Sequence, residues 1–248
     1  MATKKSGPLY IQDFLWDEGI QAVKDSLRFR SFEEFCRHLE TSLPQNSEST
    51  RHRYARNVIR WFFPERSIDG LAAQAWCYYQ DEGLLKEIMR YQFLSVEPVV
   101  AQFITEYVLP AEPGTTLRSP ILDEFVQYKY GASNKKVKQR LGNTIDQLGF
   151  AQRNKGNRII VQLPAARTAL FLLTHLLFAP TPALVSLKEI LENPFWKYLG
   201  FRHADGVRKA LKEAAANDLV AKYVIADELE QITTKYSFKE ILGQRLYL

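Results

Sequence analysis

Positively charged and amide side chains gather on one predicted helix, and together they have the chemistry needed to bind nucleic acid. The helix follows Ser133, which we expect to cap it, and ends at Gly149. Its apolar positions recur every three or four residues, at Val137, Leu141, Ile145 and Leu148. Lysine and arginine neutralise phosphates, while glutamine, asparagine and arginine can hydrogen-bond to base edges. The polar faces of this helix carry six such residues: Lys135, Lys136, Lys138, Gln139, Arg140 and Asn143.

A β-hairpin pattern follows this helix directly, in Phe150–Leu163. Two short β-prone pieces flank residues 154–157, Asn-Lys-Gly-Asn, which is a strong turn sequence. The hairpin adds Arg153, Lys155 and Arg158, where it could contact a nucleic-acid backbone or minor groove. From residue 135 to residue 158 the only acid is Asp146. The alternative is a solvated helix face followed by a lysine-bearing turn, because charged faces are usual on exposed helices.

A second basic helix is predicted within Ser49–Arg60. Arg53, Arg56 and Arg60 share one helical face, and Arg51 and His52 extend it toward the N-terminal end. There is no acid between Glu48 and Glu65, so a polyanion would relieve the mutual repulsion. We expect Arg51, Arg53 and Arg56 to bind phosphates. The alternative is pairing with acids of neighbouring helices, such as Glu33, Glu34 or Glu40.

The C-terminal part of the chain repeats the basic helix more weakly. Val137–Leu141 resembles Val207–Leu211 at an offset of 70 residues, and a β-prone tail follows each helix, at Leu219–Ile225 in the second case. This predicts a second unit of the same kind, although amphipathic helices also resemble one another by chance. Acids dilute the basic residues here, which are Arg202, His203, Arg208, Lys209 and Lys212.

The elements around these residues are predicted to be mostly helical. Residues 10–110 read as about six short helices with tight breaks, which is typical of an antiparallel bundle. Residues 111–119 are the best candidate for a linker. Helices are then expected at Pro120–Tyr130, Ala165–Phe178, Ser186–Tyr198 and Ala204–Asn217. Helix, basic helix, hairpin is the order of a winged helix.

We therefore predict a mainly α fold, with an N-terminal antiparallel helical bundle followed by winged-helix-like units with short β-hairpins. The predicted domains are a helical bundle at 1–112, a winged-helix-like domain at 113–180, and a second helical or winged-helix-like unit at 181–248.

Composition and motifs limit the other functional classes. The net charge of +5 is modest for 248 residues, and the two cysteines lie in separate apolar stretches. The N-terminal segment lacks the apolar core of a secretion signal, and the most apolar run, Ala169–Ala179, is too short to span a bilayer. Four scattered histidines and the absence of nucleotide-binding or nucleophile motifs favour a non-enzyme without metal or cofactor. We expect a cytoplasmic protein with no membrane partner.

Three segments carry a resemblance to a known family. They are STRHRYARNVIRWFF at 49–63, LSVEPVVAQFITEYVLP at 94–110, and KKVKQRLGNTIDQLGFAQ at 135–152. In their order and in several residues they resemble the BrxA proteins of bacterial phage-exclusion (BREX) systems, whose N-terminal bundle is similar to that of the antiterminator NusB. The resemblance covers about residues 10–165. It implies double-stranded DNA as ligand, a phage-defence complex with further subunits as setting, and no catalytic residues.

Two other functions fit the same pattern. One is a protein-interaction adaptor whose bundle and winged helices hold partner subunits. The other is an RNA-binding factor, suggested by the arginine face on a NusB-like bundle.

Overall fold

The computed structural model describes residues 11–226 and 229–243. Within these residues the chain is mainly helical and contains two small antiparallel sheets of three strands each. The predicted mainly α class is therefore confirmed. Contacts along the chain separate two compact units, each of which is built from two stretches. The predicted three-domain division stays a prediction, because contacts within a structure do not test which segments fold alone.

Unit 1 comprises Met1–Glu18 and Leu94–Gln162. Its elements are α6 (Pro98–Phe103), which continues into a π-helical turn at Ile104–Val108, β1 (Thr116–Leu117), α7 (Ser119–Tyr130), α8 (Lys135–Gln147), β2 (Ala151–Asn154) and β3 (Asn157–Ile160). The predicted apolar face of α8 is buried in the core of this unit. Phe125 of α7 lies in that core, and its ring meets Phe103 edge-on at 4.9 Å between centroids.

The sheet of unit 1 has the strand order β1-β3-β2. Arg153 pairs with Arg158, and Asn154 pairs with Asn157 across the predicted turn. Lys155 and Gly156 both have positive φ, 46° and 86°, as the central residues of a type I′ hairpin turn require. The hairpin predicted from Asn154–Asn157 is thus confirmed.

Two predictions in unit 1 were wrong. The segment 111–119, predicted to be a linker, contains β1, whose Thr116 pairs with Ile159 of β3. A two-residue strand is too short to show any alternation in sequence. The cap of α8 is Asn134 and not Ser133, because the Asn134 side-chain oxygen accepts hydrogen bonds from the backbone of Lys136 and Val137, both at 3.1 Å.

Unit 2 comprises Gly19–Phe93 and Leu163–Leu248. Its first stretch holds most of α1 (Trp16–Ser26), α2 (Phe32–Ser42), α3 (Glu48–Phe62), α4 (Leu71–Tyr79) and most of α5 (Glu82–Val96). Its second stretch holds α9 (Arg167–Phe178), β4 (Leu184–Ser186), α10 (Leu187–Glu192), α11 (Phe195–Tyr198), α12 (Ala204–Ala216), β5 (Val220–Ala226), β6 (Leu229–Thr234) and α13 (Phe238–Leu242).

The early helices of unit 2 follow the sequence pattern closely. Ser31 caps α2 as predicted, since its hydroxyl accepts from the Glu34 backbone at 3.2 Å. The cap of α3 is Ser47, whereas the sequence suggested Ser49 or Thr50, and the Ser47 hydroxyl accepts from the Thr50 backbone at 3.3 Å. Large aromatic side chains fill the core, where Trp61 meets Phe93 edge-on at 5.4 Å.

The later elements of unit 2 differ from the sequence prediction at one helix and in three elements that were not predicted, β4, β6 and α13. The predicted helix Ser186–Tyr198 is β4, α10 and α11, with a break at Asn193-Pro194. Asn193 is extended, with ψ of 128°, because a residue that precedes proline is disfavoured in helical geometry. The predicted helices at Ala165–Phe178 and Ala204–Asn217 and the predicted β-prone segment at Leu219–Ile225 are confirmed as α9, α12 and β5, within one or two residues.

The second sheet repeats the arrangement of the first, with strand order β4-β6-β5. Equivalent elements are 69 residues apart: α8 begins at 135 and α12 at 204, while β2 begins at 151 and β5 at 220. This spacing is one residue less than the sequence similarity suggested. Among the helices of the described residues, none has both the length and the apolar character to cross a membrane.

Candidate nucleic-acid interface

The N-terminal turns of α8 present exposed basic side chains in unit 1. Lys135, Lys136 and Gln139 are exposed, because the opposite face of α8 is buried in the core. Lys138 is half-buried, and its Nζ lies 2.8 Å from Oδ2 of Asp123 on α7. The predicted residues of this helix therefore divide into an open set and a set engaged within the protein.

Arg140 belongs to the engaged set. Its guanidinium donates to both carboxylate oxygens of Asp13, at 2.8 and 2.7 Å, and to the Ile11 backbone oxygen at 3.2 Å. Only 12% of the side chain is exposed. Bidentate pairs of this kind are strong and directional. Arg140 thus holds the segment before α1 against α8 within unit 1.

Arg158 and Gly142 join the hairpin to α8. Nε of Arg158 donates to the Gly142 backbone oxygen at 3.1 Å and to Oδ1 of Asp146 at 2.9 Å. A Cβ on residue 142 would lie 2.7 Å from Nη1 of Arg158, which is closer than atoms can approach. The glycine therefore leaves the space that the guanidinium occupies over the helix.

Arg153 shares the same carboxylate from the other strand of the hairpin. Its Nε lies 2.9 Å from Oδ2 of Asp146, and its Nη2 donates to Oδ1 of Asn143. Its side chain is 60% exposed, whereas that of Asp146 is 17% exposed. Two guanidinium groups on one carboxylate leave a net positive charge at this place.

Lys155 lies at the tip of the hairpin and is exposed. Its positive φ is uncommon for a residue other than glycine, asparagine or aspartate. Together with Lys135, Lys136 and Arg153 it forms what we call the basic surface of unit 1. These four residues come from α8 and from the hairpin that immediately follows it.

Two neighbouring residues on α7 were missed from the sequence. Tyr128 is 76% exposed, and Nζ of Lys129 lies 5.1 Å from its ring centroid. They lie in the last turn of α7, shortly before the N-terminus of α8. A tyrosine outside the apolar stripe of a helix was the available indication, because buried aromatic residues would have continued that stripe.

The arginines of α3 form a separate surface in unit 2. Arg53 and Arg56 are exposed, while Nη1 of Arg51 donates to the Gln45 backbone oxygen at 2.9 Å. His52 lies 3.2 Å from Glu40 of α2 and 3.4 Å from Glu48, and these hydrogen bonds raise its pKa. The alternative of pairing with a neighbouring helix thus applies to His52.

Helix α12, the equivalent of α8 in unit 2, has two exposed lysines, Lys209 and Lys212, but it also carries the exposed Asp205. Arg208 is engaged by Glu230 at 2.7 Å and by Asp205 at 3.0 Å, and Arg167 pairs with Glu213. The most exposed apolar side chains of the second sheet are Leu184, Ile225 and Leu229, each more than half exposed.

No arrangement among the described residues indicates metal chemistry, since no three or more histidine, cysteine, aspartate or glutamate side chains there are grouped to hold an ion. Comparison with protein-family models, with curated proteins and with solved structures found no match to this chain.

Proposed function

We propose that this chain is a non-enzymatic protein that binds double-stranded DNA through a winged helix formed by α6, β1, α7, α8, β2 and β3. The order of elements and the strand order β1-β3-β2 support this arrangement. In such a unit the second helix of the helix-turn-helix enters the major groove, and the hairpin contacts the backbone or the minor groove. Helix α8 takes the first role and the β2–β3 hairpin the second.

The observation that carries the proposal is the basic surface of unit 1. Its four residues are exposed on α8 and on the hairpin that follows it: Lys135, Lys136, Arg153 and Lys155. Asp146, the only acid from residue 135 to residue 158, is engaged by two arginines. Exposed cations with little local compensation attract a polyanion, and phosphate contacts supply most of the affinity for DNA.

The remaining predicted residues take different parts in this proposal. Arg140 and Arg158 position elements, since their guanidinium groups are held by Asp13 and Asp146. Lys138 contributes less positive charge, because Asp123 lies 2.8 Å from its Nζ. In unit 2, Arg53 and Arg56 provide a phosphate contact that is independent of sequence, and Arg51 supports the loop before α3.

We also propose a second winged helix, formed by α9, β4, α10, α12, β5 and β6. Its element order and strand order match those of the first. Asp205 of α12 occupies the place of Lys136 of α8, and its side chain is 91% exposed. A carboxylate there repels phosphate, so DNA binding is assigned to the first unit. The proposed setting, a bacterial phage-defence complex in the cytoplasm, is supported by the BrxA resemblance.

A salt series with matched charge variants tests the proposal. The affinity of the full chain for labelled duplex DNA should fall steeply as salt rises, with a slope of about 0.9 per phosphate neutralised. The double variant Lys135→Ala/Lys155→Ala should reduce that slope by about 2, because two phosphate contacts are lost. Lys188→Ala/Lys239→Ala removes the same charge from exposed positions in unit 2 and should leave the slope unchanged.

Other outcomes would favour other functions. Tighter binding of duplex RNA or of single strands than of duplex DNA would favour the RNA-binding alternative. A failure to bind any duplex at low salt would contradict the proposal and favour the adaptor.

A further inference from the structure

Asn143 lies on α8 one turn after Gln139 and close to the hairpin. Its Oδ1 accepts a hydrogen bond from Nη2 of Arg153, and Nη2 of Arg158 lies 3.4 Å from the same oxygen. Both partners are guanidinium groups, which only donate. The amide oxygen of Asn143 must therefore face the two arginines, and its nitrogen must face away from them.

The other end of this amide remains available. Among the described residues no acceptor takes the Nδ2 hydrogens of Asn143, and the side chain is half-buried, not enclosed. Its two N–H groups are thus a donor pair on the face of α8 that carries Gln139. No acceptor is left on the side chain for a ligand.

The arginines that hold this amide are themselves fixed. Asp146 accepts from Nε of both Arg153 and Arg158, at 2.9 Å in each case. Gly142 leaves the room for Arg158 to cross α8 and adds its backbone oxygen as a further acceptor. The donor pair of Asn143 is consequently preorganised before any ligand arrives.

This orientation determines which base edge Asn143 can recognise. An asparagine that recognises adenine needs its oxygen for the N6 amino group and its nitrogen for N7. With the oxygen occupied, only acceptors on the base can be satisfied. Guanine presents two acceptors in the major groove, N7 and O6, whereas adenine presents one acceptor beside a donor.

We propose that Asn143 is a specificity-determining residue that favours guanine over adenine at one position of the bound duplex. The inference rests on the proposed function, since it requires α8 to lie in the major groove. The preference for guanine over adenine at that position should be about tenfold, within the range of single base contacts.

Selection from a library of random duplexes tests this with the full chain. The wild type should enrich guanine at one position, and Asn143→Ala should lose enrichment at that position alone. Gln139→Ala is the matched control, since it removes an exposed amide one turn away and should retain the guanine. Two duplexes that differ only by G·C or A·T at that position should then differ about tenfold in Kd for the wild type and hardly at all for Asn143→Ala.

A second variant tests the role of the arginines. Arg153→Ala removes one of the two donors on Oδ1, so the ratio of Kd values for the two duplexes should move toward one, even as overall affinity falls. Adenine enrichment in the wild type, or identical profiles for wild type and Asn143→Ala, would overturn the inference and leave duplex binding intact. Failure of the wild type to bind any duplex would overturn the proposed function together with it.

Discussion

At the scale of single residues, Gly142 matters because its missing Cβ leaves space for the guanidinium of Arg158. Alanine in the interior of a helix is normally more stable than glycine by about 1 kcal/mol. Here a Cβ would displace the guanidinium of Arg158 from Asp146. The benefit of the better helix former and the loss of the ion pair therefore oppose each other.

A double-mutant cycle separates these two effects. In an Arg158→Ala background, Gly142→Ala should raise the free energy of unfolding by about 1 kcal/mol, because the three atoms nearest to the new Cβ all belong to the Arg158 side chain. In the wild type the same change should give no gain or a small loss. Denaturant unfolding of the four proteins measures the coupling, and equal effects in both backgrounds would show that Arg158 does not use this space.

The sequence alone could identify the charged residues, but it could not show which of them form ion pairs within the protein. Arg140 and Lys135 look equivalent on the polar face of one amphipathic helix, yet Arg140 meets Asp13, more than a hundred residues earlier in the chain. A contact between residues so far apart in the chain produces no periodic pattern in the sequence. Asp146 was visible as the only acid in its segment, but its two arginine partners depend on the register of the hairpin.

At the scale of elements, the Arg140–Asp13 pair fixes the segment before α1 against α8. Arg140→Ala should lower the free energy of unfolding by about 1–3 kcal/mol, since charge-assisted hydrogen bonds contribute this much when one partner is largely buried. Lys136→Ala, on the exposed face of the same helix, should change it by less than about 0.5 kcal/mol. Denaturant unfolding monitored by circular dichroism compares the two.

The salt dependence of DNA binding tests the same assignment of Arg140. Arg140→Ala should retain the salt slope of the wild type, because its guanidinium contacts Asp13 and not a phosphate. A slope reduced by about 1 would instead place Arg140 among the phosphate contacts. The position of Arg140 would then have to differ in the complex.

Long amphipathic helices were the elements that the sequence predicted well. The apolar positions of α8 and the buried run of α9 are where periodicity placed them. Strands β1 and β4 have two and three residues, and β6 was missed even though its partner β5 was predicted. Short strands acquire their pairing from the fold around them, so local propensity gives little indication of them.

At the scale of the whole molecule, each compact unit combines separated stretches of chain. Sequence order alone suggested successive domains, because composition and linkers are read along the chain. The repeat was detectable through its second basic helix, but the equivalent strand orders depend on β1 and β4, which sequence did not predict.

Stability of the folded chain should depend on pH through His175. This side chain is buried, burial lowers its pKa, and its Nε2 has no partner among the described residues. The unfolded chain therefore takes up the proton at higher pH than the native one. Stability contributed by the neutral ring is present above the unfolded pKa of about 6.5 and is lost as pH falls below it.

Replacing this histidine should flatten the pH dependence. His175→Leu should lose less free energy of unfolding between pH 7 and pH 5 than the wild type, because the buried imidazole that resists protonation is removed. Exposed His38 provides the control, and His38→Gln should keep the wild-type dependence. An unchanged dependence in His175→Leu would show that other groups govern acid unfolding. His52, whose pKa is raised, contributes with the opposite sign in both proteins.

The turn at Lys155 places a charged residue in a left-handed backbone conformation. Its φ is 46°, a left-handed conformation that asparagine adopts at lower energy than lysine. Asn-Gly is the preferred pair for this kind of turn. The chain nevertheless carries a cation there, at a conformational cost of about 1 kcal/mol or more. Under the proposed function, a phosphate contact at Lys155 would offset this conformational cost, because an exposed cation at the tip of the hairpin attracts a polyanion.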